Sequence, residues 1–305
     1  MKNNDNWTTA KIPSQQGRVI LITGANSGLG LEAAKELSKK GAMVVMAVRN
    51  LEKGKAALAK ITGEYPEAQV ELMHLDLSDL GSVQQFSDTF HSKYSKLDIL
   101  MNNAGVMYPA KRELTKQGFE VQFGINHLGH YALTGLLLDL IKKTPQSRVV
   151  TQSSIAHRTF GDIYFNDLNF EKRYNKFMAY AQSKLANLLF TYELDRRFKE
   201  NKIDAIATVA HPGVTITNLF RSSGKVIGYF TNLIAQKVDM GTLPILRAAT
   251  EEGLRGGEYF GPTKMMDMRG YPKLVKSSKK SYDVKLANEL WSVSETLTNI
   301  TYDFS

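Results

Sequence analysis

The chain has 305 residues, 39 of them lysine or arginine against 30 acids, giving a net charge of +9, and it has no cysteine. That removes disulfides, thiolate nucleophiles and cysteine metal sites together, and it suits a reducing cytoplasm. The basic residues are spread along the sequence without the signature of a nucleic-acid module, so the charge predicts a generally basic surface and no nucleic-acid partner.

Residues 1–17 read as a polar N-terminal arm without the apolar stretch of a signal peptide, and no run of about 18 apolar residues offers a membrane span. A cytoplasmic protein is the expectation. From Arg18 onward apolar and amphipathic stretches alternate. Strands are predicted at Arg18–Thr23, Met43–Val48, Gln69–His74, Leu97–Met101, Arg148–Gln152 and Ile203–Val209. Helices are predicted near Leu29–Lys40, Leu51–Thr62, Leu80–Tyr94, Gly118–Lys143 and Lys176–Asn201. The alternation predicts an α/β, Rossmann-like doubly wound fold, with a mostly parallel sheet and helices on both faces. No composition break divides it, so residues 1–305 read as a single domain.

Towards the C-terminus, residues 218–240 mix Phe220, Val226, Ile227, Tyr229 and Phe230 with glycines and a few basic residues. This suggests an apolar lid over a substrate, with a membrane-surface contact as the alternative. Residues 256–262 read as a last short strand, Met265–Lys280 as an irregular basic loop, and Ser281–Thr298 as a terminal helix docking through Leu286, Leu290, Val293 and Leu297.

Ligands of such sheets sit beyond the carboxyl ends of the strands, which directs attention to the residues that follow each one. After the first strand, Gly24, Gly28 and Gly30 punctuate a turn that also contains Asn26, Ser27 and Leu29. Without Cβ atoms, backbone N–H groups can close on a pyrophosphate at the helix N-terminus. The spacing departs from G-x-G-x-x-G. After the second strand stands Arg49 and no acid, which favours the 2′-phosphate of NADP(H) over the free ribose of NAD(H). Asp76 and Leu77 follow the third strand, positioned either for an adenine or as part of a helix cap with Ser78 and Asp79. After the fourth, Asn103, Ala104 and Gly105 allow close approach to a ligand.

Tyr180 and Lys184 stand four apart on a predicted helix and share a face. A phenol with a pKa near ~10 needs a shift of roughly three units, about 4 kcal/mol, to act near neutrality. One ammonium at about 4 Å in an effective dielectric near 20 supplies that much. His127 and His130 lie three apart on a helix, but no acid or cysteine set converges on them, so no metal site is expected. His157 and His211 lie nearer the expected cleft and are candidates for shaping a substrate pocket.

The run Thr23 to Gly30, then Asn102-Asn103-Ala104-Gly105, then Tyr180-Ala181-Gln182-Ser183-Lys184 resembles the short-chain dehydrogenase/reductase family. Residues 125–130, 153–157, 183–187 and 211–213 are similar to the branch containing retinol dehydrogenases, WW-domain oxidoreductases and protochlorophyllide reductases. The resemblance implies Tyr180 as proton donor and acceptor, Lys184 as ribose ligand and modulator of Tyr180, and Ser154, with Ser153 competing, as hydrogen-bond partner of the substrate oxygen. It implies Asn126 as holder of a relay water. Pro212, Gly213, Val214 and Thr217 take the nicotinamide side, with Thr215 an alternative to Thr217. The expected activity is hydride transfer between NADP(H) and an apolar alcohol or carbonyl compound. A non-catalytic dinucleotide sensor or scaffold is the alternative, and a homodimer or tetramer is left open.

Overall fold

The β-branched and apolar strands at the centre of the molecule meet in one sheet because they are apolar on both sides and need cover on both faces. The computed structural model describes residues 6–215 and 236–305. Its strands are β1 (Val19–Thr23), β2 (Met43–Val48), β3 (Val70–His74), β4 (Ile99–Asn102), β5 (Ser147–Gln152), β6 (Ala205–Ala210), β7 (Tyr259–Lys264) and β8 (Arg269–Leu274). They lie in the order β3-β2-β1-β4-β5-β6-β7-β8. All neighbours are parallel except the β7–β8 hairpin. Ile20 pairs with both Val44 and Ile99, so the strand order reverses at β1.

Side-chain alternation along β1 separates two cores. Ile20 and Ile22 pack with α1 (Gly28–Lys39) and α2 (Leu51–Glu64) on one face, while Val19 and Leu21 face α3 (Leu80–Lys93) on the other. Asn50 caps α2 by accepting from Lys53 N at 2.9 Å, and Asp79 caps α3 by accepting from Gly81 N at 2.9 Å.

The expected helix over residues 118–143 is interrupted. It comprises α4 (Val121–Phe123), a π turn at Gly124–Leu128, α5 (Gly129–Leu136) and α6 (Leu138–Lys143). Every residue from Val121 to Thr134 is buried, so the segment has no solvent face whose period would reveal the break. Next come α7 (Lys176–Glu200), capped by Asn175, and α8 (Val238–Thr250), which the sequence reading missed. Gly241 and the internal Pro244 hide α8, since both oppose a helix locally, yet both are buried against the body.

The expected basic loop at 265–280 contains β8. Arg269 and Lys273 are exposed on a strand that, among the described residues, pairs only with β7, as an edge strand tolerates. The N-terminal arm is less polar in effect than in composition, because Trp7 and Ile12 are buried in the α1-side core. The last helix, α9 (Val284–Thr298), docks through Ala287, Leu290, Trp291, Ser294 and Thr298. Leu286, Val293 and Leu297 sit at the flank of that stripe, because Trp291 takes its centre against Phe190 and Tyr302. Among the described residues no helix is long and apolar enough to cross a membrane.

Candidate active site

Beyond the carboxyl ends of β1, β4 and β5 opens a cleft of about 420 Å³. Gly24, Asn26, Ser27, Gly28, Leu29, Gly30, Arg49, Asp76, Leu77, Asn103, Ala104, Gly105, Ser154, Tyr180, Lys184, Pro212 and Gly213 all line it, as expected of the sequence candidates.

The glycine turn is tested by what a side chain would meet. Gly24 has φ +68°, and a Cβ on Gly30 would stand 2.5 Å from Asn103 Nδ2 and 2.6 Å from Gly24 O. The turn and the start of α1 thus close to backbone distance. Ser27, the N-cap of α1, makes no side-chain capping bond, which leaves the first helical N–H groups and its own hydroxyl for an anion. Asn103 steadies the arrangement by donating to Thr23 O at 2.8 Å, and Thr23 Oγ1 accepts from the backbone N of Asn103 and Ala104 at 3.0 and 2.9 Å. These residues fit a dinucleotide diphosphate.

At the far end Arg49, Asn50 and Lys53 line the cleft together. Lys53 was missed in the sequence, although a cation one helical turn past Arg49 was there to be read. Asp76 is not the helix cap; one carboxylate oxygen accepts from Ser78 N and Ser78 Oγ at 2.9 and 2.6 Å, in a turn that presents the residue to the cleft.

At the near end α7 brings Tyr180 and Lys184 below the carboxyl end of β5. Lys184 Nζ donates to Gln152 O at 3.1 Å and lies 5.7 Å from the centre of the Tyr180 ring. Gln152 acts through its carbonyl, so its side-chain type carried no signal. Of the two serines, Ser153 spends its hydroxyl on Lys184 O at 2.8 Å. Ser154 is half-buried, accepts from Ala156 N at 3.3 Å and hydrogen-bonds Tyr180.

Burial sets the ionisation of the pair. It pushes the Tyr180 phenol above its ordinary range, with Tyr108 adding to the effect and the Ser154 bond opposing it. It pushes Lys184 down to about 7. The helical spacing of Lys184 from Tyr180 predicts that the lysine acidifies the tyrosine. In the protein alone, desolvation penalises both charged forms and outweighs that attraction.

Asn126 lies in the π turn and does not line the cleft. Its amide brackets Val106, accepting from the backbone N at 2.8 Å and donating to the backbone O at 3.0 Å, and also donates to Ser183 Oγ at 2.9 Å. Its backbone O accepts from His130 Nδ1 at 3.0 Å, which leaves His130 Nε2 to accept from Thr23 Oγ1 at 2.9 Å. The backbone of Val214 is engaged on both sides: its N donates to Met268 O and its O accepts from Gln236 N, each at 2.8 Å. Thr215 donates to Pro212 O at 2.8 Å and lines the cleft. Thr217 and the apolar lid candidates from Phe220 to Phe230 lie outside the described residues.

Neither His157 nor His211 lines the cleft, contrary to expectation; both are buried, pushed down to about 4 and 3 by desolvation. His157 joins Ser154 O to Ser278 N, at 2.5 and 3.1 Å. His127 bonds Ser294 Oγ at 2.8 Å, and among the described residues no group of acids and histidines is arranged to hold a metal.

A phosphate cradle at the reversal of a parallel sheet, facing a half-buried serine with a buried tyrosine and lysine, is the arrangement of a dinucleotide-dependent oxidoreductase. The chain belongs to the short chain dehydrogenase family, whose profile matches residues 18–226. It is 40% identical over 300 residues to retinol dehydrogenase 12 of Mus musculus, covering 97% of this chain and 90% of that one. Among solved structures, an uncharacterized protein from Mycobacterium paratuberculosis superposes with a TM-score of 0.82 and 42% identity, over 98% of this chain and 99% of its own. A short chain dehydrogenase from Shigella flexneri, complexed with NADP, shares the fold at a TM-score of 0.65 and 24% identity, over 82% of this chain and 98% of its own.

Proposed function

We propose that the protein is an NADP(H)-dependent oxidoreductase interconverting the alcohol and carbonyl forms of an apolar small molecule, with retinoid-like compounds the first class to try. The observation that carries this reading is the meeting, in one cleft, of the glycine cradle and the Arg49–Lys53 end with Ser154, Tyr180 and Lys184. The retinol dehydrogenase relatives support the substrate class, and the NADP held by the Shigella flexneri neighbour agrees with the cationic end.

Residues 24–30 hold the diphosphate, Arg49 and Lys53 the 2′-phosphate, Asp76 and Leu77 the adenine, and Asn103, Ala104, Gly105 and Lys184 the ribose side. Pro212 and Gly213 flank the nicotinamide, with Thr215 lining the same end of the cleft. When bound, the reduced cofactor supplies the hydride. Ser154 donates to the substrate oxygen and holds it near the phenol, and Tyr180 delivers the proton to that oxygen, or removes it in the reverse direction. Burial keeps Tyr180 protonated, as a proton donor for carbonyl reduction must be. Asn126 ties the segment after β4 to α7, so that both sides of the cleft keep their spacing. A sensor or scaffold needs the cradle but has no use for the Ser154, Tyr180 and Lys184 set. Cytoplasmic location and a homodimeric or tetrameric state belong to the same proposal, tested by fractionation and light scattering.

Retinal, a medium-chain aldehyde and a ketosteroid, each incubated with NADPH, test the reading through loss of NADPH absorbance. We expect turnover with at least one, and Tyr180→Phe to lower it by about 1,000-fold, within the range set by removing an acid–base group, while leaving the Kd for NADPH within about twofold. Absence of turnover with all three, or unchanged turnover in Tyr180→Phe, overturns it.

A further inference from the structure

The segment that follows β4 holds a tyrosine in a conformation that tyrosines avoid. Tyr108 has φ +56°, in the left-handed region. Something must hold it there. Its N–H donates to Gln122 Oε1 at 2.9 Å. Gln122 is itself fully buried and locked, because its Nε2 donates to Glu120 Oε1, Tyr174 OH and Lys176 O at 3.3, 3.3 and 3.1 Å. Lys176 is the first residue of α7, so this network ties Tyr108 to the start of the helix that carries Tyr180.

The strained backbone places the Tyr108 ring against one face of α7. Its centre lies 5.0 Å from that of Tyr180 at an interplanar angle of 68°, and 4.7 Å from Phe177 at 59°. Phe177 and Tyr180 are three apart on the helix, so both present that face to it. An edge-on aromatic neighbour at this distance restricts the tilt of the phenol and excludes water from one side of it. Nothing in the local sequence demands a bulky residue at a left-handed position, where glycine or asparagine is the easy choice.

We propose that Tyr108 is a positioning residue for the reaction: held by Gln122, its ring fixes the orientation of the Tyr180 phenol towards the cleft. The inference rests on the proposed function. Tyr108 does not deliver or receive a proton in it; it acts through Tyr180.

The test compares Tyr108→Phe, Tyr108→Ala and Tyr108→Gly with the unaltered protein and with Tyr180→Phe, using NADPH and retinal or the aldehyde that is turned over. Tyr108→Phe keeps the ring and is expected to keep kcat within about twofold. Tyr108→Ala and Tyr108→Gly are expected to lose about tenfold in kcat, the equivalent of one aromatic contact, with KM and the Kd for NADPH little changed. Water then reaches the phenol, so the alkaline limb of carbonyl reduction moves to lower pH by about one unit. Tyr108→Gly also relieves the backbone, so its melting temperature is expected to equal or exceed that of the unaltered protein while its kcat falls. A merely structural role would tie the two together. Normal kcat and an unshifted pH profile in the alanine and glycine variants, beside an inactive Tyr180→Phe, overturn this inference alone. Full turnover in Tyr180→Phe overturns both.

Discussion

Lys184 and Tyr180 are one helical turn apart, and burial acts on them in opposite directions. The lysine is brought down to about 7 and the phenol is raised, so near neutrality the pair has little charge to separate until a ligand changes the field around it. At the other end of the cleft the situation is simpler, because Arg49 is exposed and Lys53 lies beside it. Two cations and no acid at the end of β2 select the cofactor that carries a phosphate there. Arg49→Asp removes one cation and sets a carboxylate against that phosphate. We expect its Kd for NADPH to rise about 100-fold, some 2.7 kcal/mol, and its Kd for NADH to change by less than about threefold. Fluorescence titration with both cofactors measures this, and an equal loss for both would remove Arg49 from the 2′-phosphate site. These residues were legible in the sequence because side-chain type itself is the signal: glycine where no Cβ fits, a cation where an anion binds, tyrosine and lysine at helical spacing. Gln152 and Val214 were opaque or misleading for the converse reason. Gln152 acts through its backbone carbonyl, while the backbone of Val214 is already committed to Met268 and Gln236.

Among the elements, the broken helix from Val121 to Leu136 shows where sequence periodicity stops informing. It is buried throughout its first 14 residues, so no polar stripe marks its register, and the π turn that places Asn126 leaves no trace in residue order. Ile125 in the π turn lines the cleft directly, and Gly129 at the start of α5 packs against it through Leu77. A Cβ there would lie 2.6 Å from Leu77 O and 3.0 Å from Leu77 Cβ, and Leu77 lines the cleft. Helix propensity alone favours alanine over glycine by about 1 kcal/mol. Here the obstructing atom is a backbone oxygen that cannot rotate away, and overpacking of that kind costs about 1–3 kcal/mol, so the clash prevails. Gly129→Ala is therefore expected to lower the melting temperature and weaken NADPH binding as Leu77 is displaced. Gly63, on the exposed side of α2 with nothing within 4 Å of its would-be Cβ, is the control. Gly63→Ala should stabilise the protein by about 0.5–1 kcal/mol and leave cofactor affinity alone. Thermal melts with and without NADPH distinguish the two, and stabilisation by both substitutions would show that α5 can move off Leu77 freely.

Across the whole molecule, the mostly parallel sheet and the two-sided core were readable from the alternation of strands and helices, whereas the order of the strands and the electrostatic cost of closing that core were not. Four of the six histidines are buried and held far below their ordinary value of 6.5: His127 and His211 at about 3, His130 and His157 at about 4, each chiefly by desolvation. Between pH 6.5 and about 4 the unfolded chain therefore binds protons at these four positions that the folded protein refuses, and stability falls as the pH drops. Glu120 and Asp195 act in the opposite sense, since burial raises their carboxyls and lets the folded state keep protons the unfolded chain releases. Even at full strength they cancel two of the four. His91, raised by Asp139 against its partial burial, is protonated in both states below 6.5, and its contribution is lost only as the pH rises through its folded value. Unfolding near pH 5.5 thus takes up about two protons, and stability changes by roughly 2–3 kcal/mol per pH unit. Because the unfolded imidazoles are only half protonated at pH 6.5, urea unfolding at pH 6.5 and at pH 5.0 is expected to show a loss of at least about 2 kcal/mol across that interval. Unchanged stability between them would mean that the four imidazoles ionise as freely in the folded protein as in the unfolded chain, and that the polar contacts around the π turn and the Ser154 loop do not require them neutral.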